Sequence, residues 1–156
     1  LGFVFFLGSM AFFFVGVFIG AGGDKVVTEA ILNTPGGRWG AFVMIMFIVF
    51  ILGFLMDWIG IAFIMVPIIT PIGAALGFDP LWFALMICIN FQTSFMTPPF
   101  AWAIFIVKGT AAPELRVTTG DIIRGIIPFV ILILVGISLC VVFPEIILWL
   151  PGQMIR

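Results

Sequence analysis

The sequence predicts an all-α integral membrane protein that combines transmembrane helices with a re-entrant helical hairpin and a broken helix. The first observation is composition: 64% of the 156 residues are hydrophobic and 8% are charged, whereas a soluble domain carries about 25% charged residues. The second is a long apolar run with a single acid inside it, and the third is a diproline inside another apolar run. A chain of this composition cannot cover itself with a water-soluble surface.

Composition also excludes several functions. The net charge is −1 and no histidine is present, so the chain has neither a basic patch for nucleic acid nor the usual general base. The two cysteines, Cys88 and Cys140, stand alone in apolar runs, and no nucleotide-binding loop occurs. We therefore expect no enzyme and no cysteine-held metal. Because the chain opens inside a hydrophobic run without signal-peptide features, we expect a C-terminal fragment or one piece of something larger.

The first predicted element is a transmembrane helix over 1–22, which is uncharged and long enough for a bilayer core of about 30 Å. The segment 23–39 is more polar and ends in a Pro-Gly-Gly stop. Its apolar residues recur at helical spacing, namely Val26, Val27, Ala30 and Ile31. This spacing favours a short interfacial helix followed by a loop, and a plain connecting loop is the alternative.

Residues 40–72 are almost wholly apolar, and Asp57 is the one charged residue among them. The run is too long for one spanning helix of about 20 residues and too short for two spans with a turn. A re-entrant hairpin resolves this mismatch, because each arm then crosses only part of the bilayer. Its turn is predicted between Gly53 and Asp57, and its second arm is predicted to end at Pro67 and Pro71.

The second interrupted apolar run covers 81–107. It contains five hydrogen-bonding side chains shortly before a diproline: Asn90, Gln92, Thr93, Ser94 and Thr97. Proline lacks an N–H group and disfavours helical geometry in the residue before it. The pair Pro98–Pro99 therefore predicts a helix that breaks at this point.

The chain ends with a polar loop and a final span. The loop covers 108–121, and Thr118 or Thr119 is the predicted cap of a transmembrane helix over 122–143. The tail that follows carries Trp149 and Arg156, which suit a membrane interface.

Asp57 is a candidate ion-binding residue. An ionisable side chain between apolar arms costs several kcal/mol unless something compensates it. No basic residue lies between Arg38 and Lys108, so a cation or a proton is the natural partner. The alternatives are a carboxylate at a helix end near the interface and a carboxylate paired with a remote Lys or Arg.

The polar segment before the diproline is the second candidate. A broken helix exposes backbone carbonyls, to which Thr93, Ser94 and Thr97 add hydroxyls, and hard cations such as sodium prefer oxygen ligands. Half-helix N-termini also attract anionic substrates. The alternative is a proline kink whose freed carbonyls are satisfied by Ser and Thr hydroxyls. Taken together, the two candidates match the discontinuous helices of secondary transporters.

Four groups of residues within 40–150 then occur in a familiar order: Gly53 and Asp57; Pro67 and Pro71; Gly77, Asp79 and Pro80; and Asn90, Thr97, Pro98 and Pro99. This order resembles the C-terminal part of the large membrane subunit of tripartite ATP-independent periplasmic (TRAP) transporters. The QTSF-x-TPPF wording resembles the branch for mannitol or chloroaromatic compounds. One position departs from the pattern, because Ala101 stands where a glycine is usual.

The resemblance implies half of an inverted-repeat, elevator-type transporter fold. Residues 1–39 would form a transmembrane helix plus interfacial connector on the scaffold side. The transport domain would contain the re-entrant hairpin at 40–72 and the broken helix at 81–107. Residues 122–156 would form the final transmembrane helix and the C-terminal tail.

The resemblance also implies a sodium-coupled importer of organic acids in the bacterial inner membrane. The residues whose oxygens would hold the coupling Na⁺ are Gly53, Asp57, Thr93, Thr97 and Pro98. Those facing the substrate would be Asn90, Gln92 and Ser94. The implied partners are a small membrane subunit, a periplasmic solute-binding protein, a small carboxylate substrate and membrane lipid. Another sodium/dicarboxylate-type elevator symporter and a non-transporting membrane-structural subunit are the alternatives.

Overall fold

The computed structural model describes residues 1–56, 58–97, 102–112 and 117–154, together with the backbone but not the side chain of Trp102. Within these ranges the chain forms eight helices and no strand: α1 (Gly2–Gly20), α2 (Gly23–Leu32), α3 (Gly37–Leu52), α4 (Trp58–Ala75), α5 (Pro80–Met96), α6 (Trp102–Thr110), α7 (Thr119–Val142) and α8 (Glu145–Met154). The all-helical prediction is confirmed for the described part of the chain.

Three of these helices are long and apolar enough to cross a membrane, by length and composition: α1, α4 and α7. Two of them, α1 and α7, coincide with the predicted first and last spans. Both expose most of their apolar side chains, as expected of helices that meet lipid or further membrane segments. The 23–39 segment contains the predicted short helix, α2, so the alternative of a plain loop is wrong.

The predicted hairpin region forms two helices, α3 and α4, and the described part of the connection between them is 53–56. The predicted end of the second arm is wrong, because α4 continues through Pro67 and Pro71 as far as Ala75. Ile68, Ile69 and Ile72 bury their side chains against the rest of the fold, and packing against neighbouring helices lets a membrane helix tolerate prolines in its interior. The Thr70 hydroxyl adds a 2.6 Å hydrogen bond to the Val66 carbonyl in the same turns.

The lengths of α3 and α4 bear on the argument for a re-entrant hairpin. α3 begins at Gly37 and α4 ends at Ala75, so the two helices extend beyond 40–72 at both ends. With 18 residues, α4 is long enough to cross a membrane by itself. The two helices together are therefore closer to the length of two full spans than the sequence indicated, and the length of this region favours a re-entrant hairpin less strongly.

Helix α5 lies at the centre of the fold and packs against α3, α4, α6, α7 and α8. An aromatic cluster surrounds its N-terminal half: Trp39, Phe42, Phe78, Trp82 and Phe83. The Trp82 indole N–H donates a buried 2.9 Å hydrogen bond to the Cys140 carbonyl of α7. The Arg38 guanidinium lies 4.5 Å from the centre of the Phe78 ring, at the edge of the same cluster.

Local hydrogen bonds define the N-terminal ends of α5 and α7. The Asp79 carboxylate accepts a 2.9 Å bond from the Trp82 backbone N–H and caps α5, with Pro80 in its first position. The predicted cap of α7 is confirmed: the Thr118 hydroxyl accepts from the Asp121 N–H, and the Asp121 carboxylate accepts from the Thr118 N–H.

Candidate functional site

Six of the eight predicted site residues lie in the described part of the chain, whereas Asp57 and Pro98 lie outside the described residues. Gly53 is the first residue after α3. Four others belong to the last turns of α5: Asn90, Gln92, Thr93 and Ser94. Thr97 directly follows α5 and adopts extended backbone angles (φ −94°, ψ 132°). Helix α5 therefore ends at the predicted interruption, and the next described helix, α6, begins at Trp102.

The connection after α3 touches the polar end of α5 at Gly53. A Cβ atom added to Gly53 would overlap the Cβ and Oγ atoms of Ser94. The backbone of Gly53 is ordinary right-handed helix (φ −63°, ψ −15°), so the glycine is required here by close approach and not by its own conformation. Two regions far apart in sequence, Gly53 and the QTSF segment, thus meet in space.

Asn90 and Ser94 bond the backbone of α3 from one face of α5. The Asn90 Nδ2 group donates a 2.8 Å hydrogen bond to the Met46 carbonyl. One turn later the Ser94 hydroxyl donates a longer, 3.4 Å bond to the Phe50 carbonyl. Both side chains are buried, with 6% and 3% of their surface exposed. These two residues hold α3 and α5 together at the level of the hairpin connection.

Thr93 lies on the same buried face, with 3% of its surface exposed. Its hydroxyl oxygen is fully buried and has no hydrogen-bond partner among the described residues, which costs about 1–3 kcal/mol for a group of this kind. The Thr97 hydroxyl reaches back and donates a 2.7 Å bond to the Thr93 carbonyl. A buried hydroxyl oxygen without a partner is free to bind an ion that enters beside it.

The electrostatics at this point favour a cation. Helices α3 and α5 both end close to the Gly53–Ser94 contact, and the C-terminal end of a helix carries a partial negative charge of about half a unit. The described part of the chain places no Lys or Arg side chain in this contact. Hydroxyl and carbonyl oxygens near two helix C-termini form a donor set suited to a hard cation.

Gln92 lies on a different face of α5 from the residues that contact α3. It is exposed and lines a cleft of about 390 Å³ together with Trp58, Ala62, Cys88, Phe91 and Phe95. The structure therefore separates Gln92 from Asn90 and Ser94, with which the sequence had grouped it. The other cleft residues of α5 were not predicted from the sequence, although positions 88, 91, 92 and 95 have the spacing of one helical face.

The chain is similar in sequence to the members of one family of transporter permeases. The family described as "Tripartite ATP-independent periplasmic transporter, DctM component" matches residues 1–146. The chain is 28% identical over 113 residues to the sialic acid TRAP transporter permease protein SiaT of Haemophilus influenzae, covering 72% of this chain and 18% of the relative. It is 33% identical over 102 residues to the 2,3-diketo-L-gulonate TRAP transporter large permease protein YiaN of Escherichia coli, covering 65% and 22%.

A third relative extends the match over more of the chain. The ectoine TRAP transporter large permease protein TeaC of Halomonas elongata is 26% identical over 132 residues, which is 85% of this chain and 30% of the relative. The chain thus spans less than a third of the length of each of these relatives. The relatives are transporter permeases and not enzymes. The chain belongs to the family of the DctM component of tripartite ATP-independent periplasmic transporters.

Proposed function

We propose that this chain is the C-terminal portion of the large permease subunit of a sodium-coupled TRAP transporter that imports organic acids. The single observation that carries the proposal is the contact between Gly53 and Ser94. It joins the connection between two apolar helices to the end of an interrupted helix. Transporters with discontinuous helices bind their ion and substrate where such elements meet.

The coupling ion in this proposal is Na⁺, held by the oxygens of Gly53, Thr93 and Thr97 together with those of Asp57 and Pro98. The residues fit such an ion, because the Thr93 hydroxyl is buried without a partner and two helix C-termini end beside it. A carboxylate at Asp57 would balance the charge of the ion in an apolar setting. The inward sodium gradient supplies the driving force for uptake.

The moving part in this proposal consists of the hairpin at 40–72, taken as re-entrant, and the broken helix at 81–107. Residues 1–39 belong to the scaffold, on which the transport domain slides as an elevator. The two parts meet at α1 and α4, where a Cβ added to Gly8 would make ordinary contact with the Phe63 ring, at 3.5 Å. The buried Trp82–Cys140 bond fastens α7 to α5, so α7 moves with the transport domain in this proposal.

The proposed setting is the bacterial inner membrane, with a small membrane subunit and a periplasmic solute-binding protein as partners. Two of the relatives above are named for organic acids, sialic acid and 2,3-diketo-L-gulonate, which supports an organic acid as the substrate. The QTSF-x-TPPF wording supports membership of the branch for mannitol or chloroaromatic compounds.

The proposal is tested with the complete permease that contains this segment, reconstituted in liposomes with its small subunit and binding protein. Uptake driven by a sodium gradient is compared with uptake driven by a potassium gradient. We expect Asp57→Asn and Thr97→Val to lower sodium-driven uptake by orders of magnitude, because each removes an oxygen ligand or its charge.

Thr110→Val is the matched control, because the Thr110 hydroxyl also donates to a carbonyl four residues earlier, that of Ile106, but lies at the far end of α6. It should leave uptake unchanged. Normal sodium-driven uptake by well-folded Asp57→Asn and Thr97→Val proteins would refute the sodium site. Equal uptake with both gradients in the unmodified protein would refute sodium coupling itself.

A further inference from the structure

Arg38 is an exposed, positively charged side chain that aromatic rings hold in place at one end of the fold. Its guanidinium carbon lies 4.5 Å from the centre of the Phe78 ring and 5.4 Å from that of the Trp39 ring. Phe78 is buried and stacks on Trp82, so the ring under the guanidinium is fixed. Within the described part of the chain, Arg38 forms no ion pair and its guanidinium donates no hydrogen bond.

The surroundings of Arg38 favour an anion from outside the chain. Arg38 lies in the first turn of α3, which contains no acidic residue, and the positive N-terminal end of a helix disfavours a further positive charge. Asp79 follows Phe78 in the chain, but its carboxylate accepts from the Trp82 N–H and caps α5. A guanidinium presents a planar fork of N–H donors that matches the oxygens of a phosphate group.

An apolar stripe on α3 begins beside this guanidinium and runs along the helix. Its members recur every fourth residue and expose 39–63% of their surface: Trp39, Val43, Phe47 and Ile51. This spacing forms one ridge of a helix. The stripe is about 18 Å long at 1.5 Å per residue, slightly more than the ~15 Å depth of one leaflet of the hydrocarbon core. A positive charge at one end of an apolar stripe of this length matches the headgroup and one acyl chain of a lipid.

We propose that Arg38 and this stripe bind an anionic phospholipid. The guanidinium donates to the headgroup phosphate, the Trp39 ring lies at the level of the headgroup, and an acyl chain lies along Val43 and Phe47. The stripe selects a lipid over free phosphate, because free phosphate uses the guanidinium alone. This site is at the opposite end of α3 from Gly53, so it is separate from the proposed ion site.

The proposal is tested by measuring the binding of lipids to the complete permease in detergent. Dioleoylphosphatidylglycerol, which is anionic, is titrated, and occupancy of the first bound molecule is measured by native mass spectrometry. Dioleoylphosphatidylcholine has the same acyl chains and no net charge, whereas inorganic phosphate has the charge and no chains. We expect phosphatidylglycerol to bind more tightly than phosphatidylcholine, and inorganic phosphate at the same concentration to leave it bound.

Arg38→Gln tests the charged end of the site. It should raise the Kd for phosphatidylglycerol about ten- to a hundredfold, the value of a hydrogen bond to a charged group. Arg124→Gln makes the same change at an exposed arginine of α7 and should leave this Kd unchanged. Thermal unfolding without added lipid verifies that both variants are folded.

Phe47→Ala tests the apolar stripe without altering any charge or any side chain of the aromatic cluster. It should raise the Kd for phosphatidylglycerol about three- to tenfold, because part of the apolar contact area is lost. Phe129→Ala is the matched control, since Phe129 of α7 is 57% exposed and Phe47 is 58% exposed. The control should not change the Kd of the first bound lipid.

Three results would overturn the proposal. Equal affinity for the two lipids, or an unchanged Kd in a folded Arg38→Gln protein, would refute an anionic headgroup at Arg38. Displacement of phosphatidylglycerol by an equal concentration of inorganic phosphate would identify a free anion as the ligand. An unchanged Kd in Phe47→Ala would show that no acyl chain lies on the stripe, as expected if another segment of the permease covers it.

Discussion

The two faces of α5 use similar side chains for different purposes. On the face toward α3, Asn90 and Ser94 donate hydrogen bonds to backbone carbonyls of α3, and Thr93 is buried beside them. On the face toward the cleft, Gln92 is exposed among aromatic rings. The polar residues lie within five consecutive positions of one helix, yet rotation of about 100° per residue divides them into two sets.

In the proposed transporter, this division would separate binding of the ion from binding of the organic ligand. The face toward α3 holds the hairpin connection at a fixed distance and encloses oxygens suited to an ion. The cleft face has open volume and keeps an uncommitted amide. Substitutions on the face toward α3 should therefore change the stability of the protein and its binding of sodium. Substitutions on the cleft face should change its binding of the organic ligand. The predictions below test this difference, in order of expected effect.

Gly53→Val should have the largest effect. The added side chain would overlap Ser94, and overpacking of this kind costs about 1–3 kcal/mol, or more where backbone must move. We expect thermal unfolding of the complete permease in detergent to shift down and uptake to be lost. Gly136→Val is the control for side-chain bulk, because a Cβ at Gly136 meets no atom within 4 Å.

A second pair of variants tests the contact itself. Gly53→Ala should destabilise the protein, and Ser94→Gly added to it should recover much of the loss, since the overlapping atoms are then absent. Additive losses in the double variant would show that the Gly53–Ser94 approach is not what constrains the hairpin connection.

Asn90→Ala and Gln92→Ala compare the two faces directly. Asn90→Ala removes a buried bond to the Met46 carbonyl and should lower the free energy of unfolding by about 1–2 kcal/mol. Gln92→Ala changes an exposed side chain and should stay within about 0.5 kcal/mol. Chemical denaturation measures both. Equal losses in the two variants would contradict the division between the faces.

Thr93→Val should raise the stability of the protein in the absence of sodium and abolish the additional stability that sodium provides. It replaces a buried hydroxyl that has no partner in the described part of the chain with a methyl group of the same shape, so stability in potassium buffer should rise by about 1 kcal/mol. The stabilisation that sodium gives the unmodified protein should disappear. Sodium titrations monitored by thermal unfolding test this, and retained sodium stabilisation would remove Thr93 from the ion site.

Thr118→Ala should have the smallest effect and provides the baseline for a change outside both faces. It removes the side-chain half of the cap that Thr118 and Asp121 form at the start of α7, which is worth about 0.5–1 kcal/mol at an exposed helix end. Uptake should not change, because the cap lies on neither face of α5. A large loss of uptake here would mean that α7 contributes to transport through its N-terminus.

Local chemistry allowed part of this structure to be predicted from the sequence. The cap at Thr118 and the interruption at Thr97 follow from side chains within a few residues. The span of α1 follows from length and composition. The continuation of α4 through Pro67 and Pro71 could not be predicted, because it depends on buried isoleucines whose neighbours come from other helices.

The candidate site shows the same limit. Sequence order grouped Asn90, Gln92 and Ser94, because nothing in the chain shows which helix packs on which side of α5. The spacing of residues 88, 91, 92 and 95 places them on one face of α5. That this face lines a cleft could not be predicted, because the sequence does not show that α4 lies opposite it. The resemblance to the transporter family predicted that the segments 53–57 and 90–99 face each other, but it did not predict the contact between Gly53 and Ser94.

The charge of Arg38 also sets a depth for the hairpin connection. Arg38 lies in the first turn of α3, beside Phe78, and its guanidinium requires water or lipid headgroups. Gly53 is one helix length away, about 22 Å at 1.5 Å per residue. With α3 along the membrane normal, the connection then lies about 8 Å short of the far edge of a hydrocarbon core of about 30 Å. In the proposed transport cycle, an ion arriving from that far side would cross only about a quarter of the membrane thickness before it binds, so most of the electrical work of uptake would fall on the movement of the loaded protein.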